Sequence, residues 1–263
     1  MVDRPTDIEG YRDWLRRELD IEIGPERRTH YDTVSRQMRA DFMESEFWEE
    51  IKTGLARVDA EYRIANGVEL LPRDSLAPSV FIKPFDSLVE KTFRKNVVDN
   101  DRFPDQPEDD WVVPENWFAK IGDILRTSIL VRYLDGVAKV TSELAACCEA
   151  DHVACEVDFA AHDVGYYAAH FNLWHTFEIP KMRWDTEKVD LSIEFQVATV
   201  VHGVVRELLH PYYERQRVSS DEREMWQWDY SSNEFSTNYI GHMSHYLDGM
   251  IVGARERQRE ELG

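Results

Sequence analysis

Cysteine is scarce in this chain, long apolar runs are missing, and positive charge is in short supply. Only Cys147, Cys148 and Cys155 occur, an odd number without paired CxxC spacing. That pattern supports neither a disulfide framework nor a zinc site and predicts reduced thiols. No run is long and apolar enough to span a bilayer. The opening MVDRPTDIEGYRDW is charged from the start and lacks the apolar core of a secretion signal. A cytoplasmic protein without a membrane partner is therefore expected. Lys and Arg number 31 against 51 Asp and Glu, a formal net charge of −20. So acidic a surface repels nucleic-acid backbones and argues against DNA as a partner. It leaves room for a nucleotide, or one RNA end, in a locally basic pocket. The informative places are those where the basic residues gather.

What is present, 263 residues of which 43% are apolar, suits one large domain or a catalytic domain with helical additions. The box Thr6-Asp7-Ile8-Glu9 opens a helix carrying Ile8, Tyr11 and Leu15 at helical spacing. From Thr29 to Ala65 the rhythm of Val34, Met38, Phe42, Ile51, Leu55, Val58 and Tyr62 predicts two helices, with a connection over 66–79. A further helix is expected from Ser87 to Asn96, capped by Asp86 or Ser87. The Pro- and Asp-rich NDRFPDQPEDDWVVPEN then reads as an exposed loop.

Afterwards the period changes. ILRTSILVRYL, VACEVDF, YYAAHFNLWHTFEI and VDLSIEFQVAT read as strands, GVAKVTSELAACC as an amphipathic helix, and KMRWDTEK as a hairpin connection. A helix from Val200 to Arg217 follows. A capping box at Ser231–Glu234 opens the last helix, with Phe235, Tyr239, Met243, Tyr246 and Met250 on one stripe. The chain therefore divides into a helical region 1–79, a core 80–217 and a helical extension 218–263. The fold class is α/β (α+β), a mixed β-sheet with helical flanks. There is no internal repeat and no low-complexity tract.

Chemistry begins with LSIEFQVAT. Alternation puts Leu191, Ile193, Phe195 and Val197 on one face and Ser192, Glu194 and Gln196 on the other. An acid and an amide on so apolar a strand mean either an edge strand with its polar face in water or a face lining a solvated, cation-binding cleft. In the preceding strand Tyr166, Ala168 and His170 share a face, so a purine could stack on Tyr166 beside the small Ala168. Gly165 permits close backbone approach. Lys83, Lys91, Arg94 and Lys95 form a basic cluster, either a phosphate clamp or a solvated helix face. Asp123 heads a strand, where it could cap the strand end or share a magnesium ion with Glu194, since Mg²⁺ needs only one or two carboxylates plus substrate phosphates.

Taken in order, these elements are Lys83-x-x-x-Ser87-x-x-x-Lys91, Asp123-Ile124, Gly165-Tyr166-x-Ala168-x-His170, Glu194-x-Gln196-x-x-Thr199 and His210-x-x-Tyr213. The series resembles the RelA/SpoT synthetase family over about half the chain, Val80 to Arg217. GYYAAH and EFQVAT are its most specific parts, and the flanking helices look like those of small stand-alone members, some of which are toxins.

The resemblance implies a nucleotidyltransferase-like synthetase core moving the β,γ-pyrophosphate of ATP to a 3′-hydroxyl, with AMP leaving. Asp123 and Glu194 would bind Mg²⁺, Glu194 also helping to deprotonate the hydroxyl. Lys83, Ser87 and Lys91 would hold the ATP phosphates with Arg94 or Lys95 assisting. Tyr166, His170, Gln196 and His210 would face the acceptor: GDP, GTP, another nucleotide or the 3′ end of tRNA. A protein antitoxin would accompany a toxic member.

The chain departs from the pattern at four positions and over one segment. Phe81 stands where the family has an Arg before the first Lys. Asp123–Ser128 departs from DIxGxR in its Gly and Arg positions, with Arg126 as a displaced positive charge. Ala198 replaces the Arg of EIQIRT, and the approach to Gly165, Asp158 to Val164, is short and not basic. These changes spare the magnesium acids and alter the substrate surroundings. A catalytically silent nucleotide-binding module is the reading from another class. His202, Arg206 and His210 form a stripe at successive helical turns, and His242 with His245 share a helix face without a further ligand nearby. His162-Asp163 is an HD pair placed in a loop, without the other ligands of a hydrolase domain.

Overall fold

The structure, a computed structural model, describes residues 4–180, 186–208 and 226–262. The helices are α1 (Ile8–Leu19), α2 (Pro25–Glu44), α3 (Glu46–Asn66), the short α4 (Arg73–Leu76), α5 (Phe85–Phe93), the short α6 (Trp117–Lys120), α7 (Asp135–Ala150), α8 (described over 200–208) and α9 (Asn233–Leu262). Five strands, β1 (Val80–Ile82), β2 (Leu125–Val131), β3 (Cys155–Ala161), β4 (Tyr167–Pro180) and β5 (Thr186–Thr199), form one mixed sheet of order β1-β2-β5-β4-β3. The expected α/β class holds. No helix among the described residues is long and apolar enough to cross a membrane.

The sheet order removes the edge reading of the Glu194 strand: β5 is the central strand. Leu191, Ile193, Phe195 and Val197 are fully buried, while Ser192, Glu194 and Gln196 are half-buried. The polar face therefore lies inside the sheet's span. That placement costs free energy unless its groups are satisfied.

Packing divides the chain into two interleaved units. The first comprises Met1–Trp48, Val80–Arg126 and Leu173–Glu194, the second Glu49–Ser79, Thr127–Asn172 and Phe195–Gly263. In the first, Tyr11, Trp14 and Leu15 of α1 and Tyr31, Val34, Met38 and Phe42 of α2 present the buried stripes that helical spacing predicts. In the second, Val140, Leu144, Cys147 and Cys148 of α7 are buried. There Arg255 of α9 pairs with Asp135 at 2.8 Å and lies over the Tyr133 ring at 4.9 Å. That charge-assisted, cation–π contact fixes the far half of the long helix.

Several boundaries differ from expectation. The first and last helices are capped one residue late, by Asp7 (accepting from the Gly10 amide, 2.7 Å) and Ser232 (accepting from the Phe235 amide, 3.0 Å). Adjacent residues in both boxes are competent caps, and the point where the backbone turns helical selects between them. α5 starts at Phe85, behind Pro84, and has no side-chain cap; Asp86 is instead ion-paired with Arg28 and, at 3.9 Å, Arg12. It continues into a π-helical turn, Arg94–Val98. The loop expected to be exposed is tethered by Asn96, whose amide donates to the Val112 carbonyl (2.8 Å) and whose oxygen accepts from the Val112 amide (2.9 Å). Val112 is consequently buried and Trp14 packs on Trp111. Part of the expected hairpin connection, 181–185, lies outside the described residues.

Candidate active site

The basic cluster in the first unit is built around one acid. Lys83 leaves β1 and is only 8% exposed. Its amide donates to the Ile124 carbonyl (2.9 Å), and the Lys83 carbonyl accepts from the Tyr31 hydroxyl (2.7 Å). The backbone around Lys83 is thus held on both sides. A buried ammonium needs a countercharge, and Asp123 supplies it: Lys83 Nζ donates to Asp123 Oδ2 at 2.9 Å. Lys91 Nζ, one and a half turns into α5, stands 3.0 Å from Oδ1 as an ion pair without hydrogen-bond geometry.

Burial pushes the Lys83 ammonium down from its ordinary pKa, Asp123 opposes that shift, and Lys91 and Arg126 add to it. Arg126 therefore lies within electrostatic reach of Lys83. The Tyr31 hydroxyl is held above its ordinary range by burial first and by the charge of Asp123 second.

Asp123 does not begin β2. It occupies a left-handed turn conformation (φ 64°) two residues before Leu125, which Asp tolerates better than most side chains. The turn keeps its carboxylate between the two lysines. Gly122, just before it, lies against Ser192, whose side chain a Cβ there would meet at 3.7 Å; Ser192 shares its face of β5 with Glu194. Ser87 is half-buried in the first turn of α5. Arg94 (half-buried) and Lys95 (exposed) follow in the π-helical turn, and Phe81 is 56% exposed on β1.

Among the described residues no three His, Cys, Asp or Glu side chains converge as a metal cage. Asp123 and Glu194 are hard oxygen donors, and the proximity of Gly122 to Ser192 places the turn carrying one near the strand face carrying the other. That pair suits a magnesium ion completed by water and substrate phosphate.

The second unit holds the aromatic elements. Tyr166 sits at the mouth of the β3–β4 hairpin, just ahead of β4, and its hydroxyl is 3.0 Å from His170 Nε2. His162 stacks on its ring (centroids 5.6 Å, 24°). Gly165, at φ 77°, closes that turn with its amide donating to the His162 carbonyl (2.9 Å). A Cβ at Gly165 would collide with the Asn238 carbonyl of α9, and one at Gly241 would collide with Gly165 itself. The last helix therefore backs the Tyr166 turn, backbone against backbone.

Further contacts join the same elements. The Tyr167 hydroxyl meets His242 Nδ1 (2.9 Å), and its ring stacks on His245 (3.8 Å, 4°). His242 and His245 thus both pack on Tyr167.

Gln196 accepts from Arg206 Nη1 at 2.5 Å, and Arg206 Nη2 reaches Ser128 Oγ at 3.3 Å. In the sequence Arg206 stands only as the basic member of a helical stripe with His202 and His210. His210 and Tyr213 lie outside the described residues.

No protein-family model matches the chain, and no curated protein matches its sequence. Solved structures do match its fold. The small alarmone synthetase 1 from Bacillus subtilis aligns with a TM-score of 0.56 at 14% identity, over 88% of this chain and 97% of that one. The same synthetase bound to its product pppGpp gives 0.54 at 15%, over 87% and 96%. A GTP pyrophosphokinase family protein from Streptococcus pneumoniae gives 0.50 at 15%, over 90% and 94%. The chain has the fold of the small stand-alone RelA/SpoT-type synthetases.

Proposed function

We propose that this chain is a magnesium-dependent pyrophosphokinase that moves the β,γ-pyrophosphate of ATP to the 3′-hydroxyl of a nucleotide, as in (p)ppGpp-type alarmone synthesis. The observation that carries this reading is one carboxylate, Asp123, shared by a buried and a half-buried ammonium, with Arg126 in electrostatic range. In a chain of net charge −20, this local excess of positive charge suits a polyphosphate. Lys83 and Lys91 would exchange Asp123 for ATP phosphate oxygens and so stay paired throughout. Asp123, released from them, would hold the metal with Glu194. The ion would supply charge neutralisation on the transferring phosphates.

Glu194 would take the proton of the 3′-hydroxyl. The 3′-oxygen bonds to the β-phosphorus as the bond from that phosphorus to the α,β-bridging oxygen breaks, and AMP leaves with that oxygen. Tyr166, its hydroxyl paired with His170, would stack on the acceptor base. Positioning and charge neutralisation are the main demands of phosphoryl transfer, and these side chains provide both. The fold shared with an alarmone synthetase bound to pppGpp supports the choice.

A second reading, pyrophosphorylation of a tRNA 3′ end by a toxin neutralised by a partner protein, is favoured by the departures on the acceptor side at Ser128 and Ala198. Purified protein with labelled ATP and Mg²⁺, offered GDP, GTP, ATP or tRNA in turn, separates the readings. AMP release with a pyrophosphorylated mononucleotide is expected. Label on tRNA alone replaces that reading with the second. Nucleotide binding without AMP from any acceptor leaves a silent binding module and ends the enzyme hypothesis.

A further inference from the structure

We infer that Arg206 is a specificity-determining residue of the acceptor side, gripping a phosphate oxygen of the acceptor nucleotide; this rests on the pyrophosphokinase reading. Three observations carry it. The first is the company the guanidinium keeps: Gln196 Oε1 at 2.5 Å and Ser128 Oγ at 3.3 Å, both neutral acceptors. Among the described residues Arg206 has no carboxylate partner. An Arg held only by neutral oxygens keeps its full charge for an anion, and its fork geometry matches phosphate.

The second is the cleft it lines with Gly165, Tyr166, Ala168, Ala198 and His202. Of the eight lining residues Arg206 alone carries a fixed charge. Burial depresses the pKa of His202 to about 4, with the charge of His245 adding to the effect, so its ring is neutral at pH 7. The ring of Tyr166 and the small side chains of Ala168 and Ala198 provide an apolar wall. Arg206 is the one site on that wall able to hold a phosphate.

The third is placement. The resemblance puts arginines at the positions of Ser128 and Ala198, and this chain has neither. Arg206 bonds to Ser128 directly and shares the cleft with Ala198. A guanidinium on α8 thus brings positive charge to the place both substitutions vacated. An Arg at 128 or 198 would compete with Arg206 for that space and for Gln196. The exchange moves the charge from the strands to the helix and changes the direction from which it meets the acceptor.

The test compares wild type with Arg206→Gln, Arg206→Lys and the double variant Arg206→Ala/Ser128→Arg, each checked for an intact fold by circular dichroism. Equilibrium binding of GDP, GTP, ATP, the corresponding unphosphorylated nucleosides and a tRNA ending in CCA is measured first, then KM for acceptor and for ATP. Loss of a charge-assisted contact predicts roughly 10- to 100-fold weaker acceptor binding in Arg206→Gln. Preference for nucleotide over nucleoside should be lost, while KM for ATP changes less than about 3-fold. Arg206→Lys and the double variant should recover part of the loss. If tRNA alone among the ligands responds, the phosphate gripped is an RNA phosphodiester; if GDP, GTP or ATP responds, it is the phosphate of a mononucleotide.

Unchanged acceptor binding in folded Arg206→Gln overturns the inference, as does an equal effect on ATP and acceptor, or failure of wild type to bind any of these ligands. The binding arm needs no turnover. Binding that depends on Arg206 without AMP release would retain the anion site and reject the pyrophosphokinase reading. AMP release insensitive to Arg206 would do the reverse.

Discussion

The charged corner around Asp123 and the aromatic cleft around Tyr166 satisfy their polar groups in opposite ways. At Asp123, full charges neutralise one another: two lysines share one carboxylate, and the buried ammonium exists only because the acid is there. Around Tyr166 the bonds run from hydroxyl to imidazole and from guanidinium to amide, and the guanidinium of Arg206 has no carboxylate partner among the described residues. Charge pairs suit a ligand that brings its own charges and exchanges partners one for one. A neutral, shaped cleft with one cation suits a ligand chosen by ring, size and one phosphate. The first arrangement demands little more than a polyphosphate; the second can discriminate.

The sharpest way to break the comparison is at the acids. Asp123→Asn or Glu194→Gln should lower AMP formation by roughly 10³-fold or more, with nucleotide binding on the acceptor side retained. Loss of acceptor binding in either variant would show that the two regions do not act separately. If the chain is toxic when expressed, Glu194→Gln should also relieve growth arrest.

A smaller effect separates the two sides. Tyr166→Ala should raise KM for the acceptor about 10-fold or more, because a base–aromatic stack is worth about 1–3 kcal/mol, while Lys91→Ala should raise KM for ATP by a similar factor. Steady-state kinetics with each substrate varied checks both. A Tyr166 variant altered equally toward ATP and acceptor would erase the distinction.

Gly165→Ala tests the backing of the cleft by α9. The left-handed turn and the collision with Asn238 should cost about 1–3 kcal/mol, a fall in Tm on the order of 2–10 °C. Acceptor binding should weaken more than ATP binding.

A further effect is a pH dependence of stability. His202 is buried against His245 and Tyr167, with its pKa depressed to about 4. The unfolded ring binds a proton near its ordinary 6.5 and the folded ring only near 4. The contribution is therefore whole above pH 6.5 and is lost as pH falls from 6.5 toward 4. Its size is on the order of 3 kcal/mol at most. His245 shifts the same way through burial, whereas burial raises the Asp248 carboxyl. Denaturant unfolding across pH 4–7 should show a flatter profile for His202→Gln than for wild type.

Much of the fold was legible because local periodicity reports which side of an element meets the core. Tyr11 and Leu15 of α1, Val34, Met38 and Phe42 of α2 and the apolar face of β5 are buried as the spacing predicts, whereas Ile8 is only half-buried and Trp14 and Tyr31 join the core beside them. Boundaries were less legible. Neighbouring residues compete to cap a helix; of the two expected caps of α5, Asp86 and Ser87, neither caps it, and Asp86 is paired with Arg28 and Arg12 from other helices. The loop after α5 looked exposed because its Pro and Asp content is local, whereas its anchor on Asn96 is not. Arg206 stayed hidden for the same reason: its partner Ser128 lies 78 residues away.

By itself, the sequence determined that Glu194 shares a polar strand face with Ser192 and Gln196, and that basic residues collect near Lys83 in a strongly acidic chain. Both follow from spacing and composition, which act within a few residues. Only the tertiary structure decided that this strand is the centre of the sheet, that Asp123 lies between two lysines, and that Arg206 of a helix bonds to Gln196 and Ser128 on two strands. Strand order and long-range pairing depend on which faces meet when the chain closes on itself. No local pattern encodes that choice.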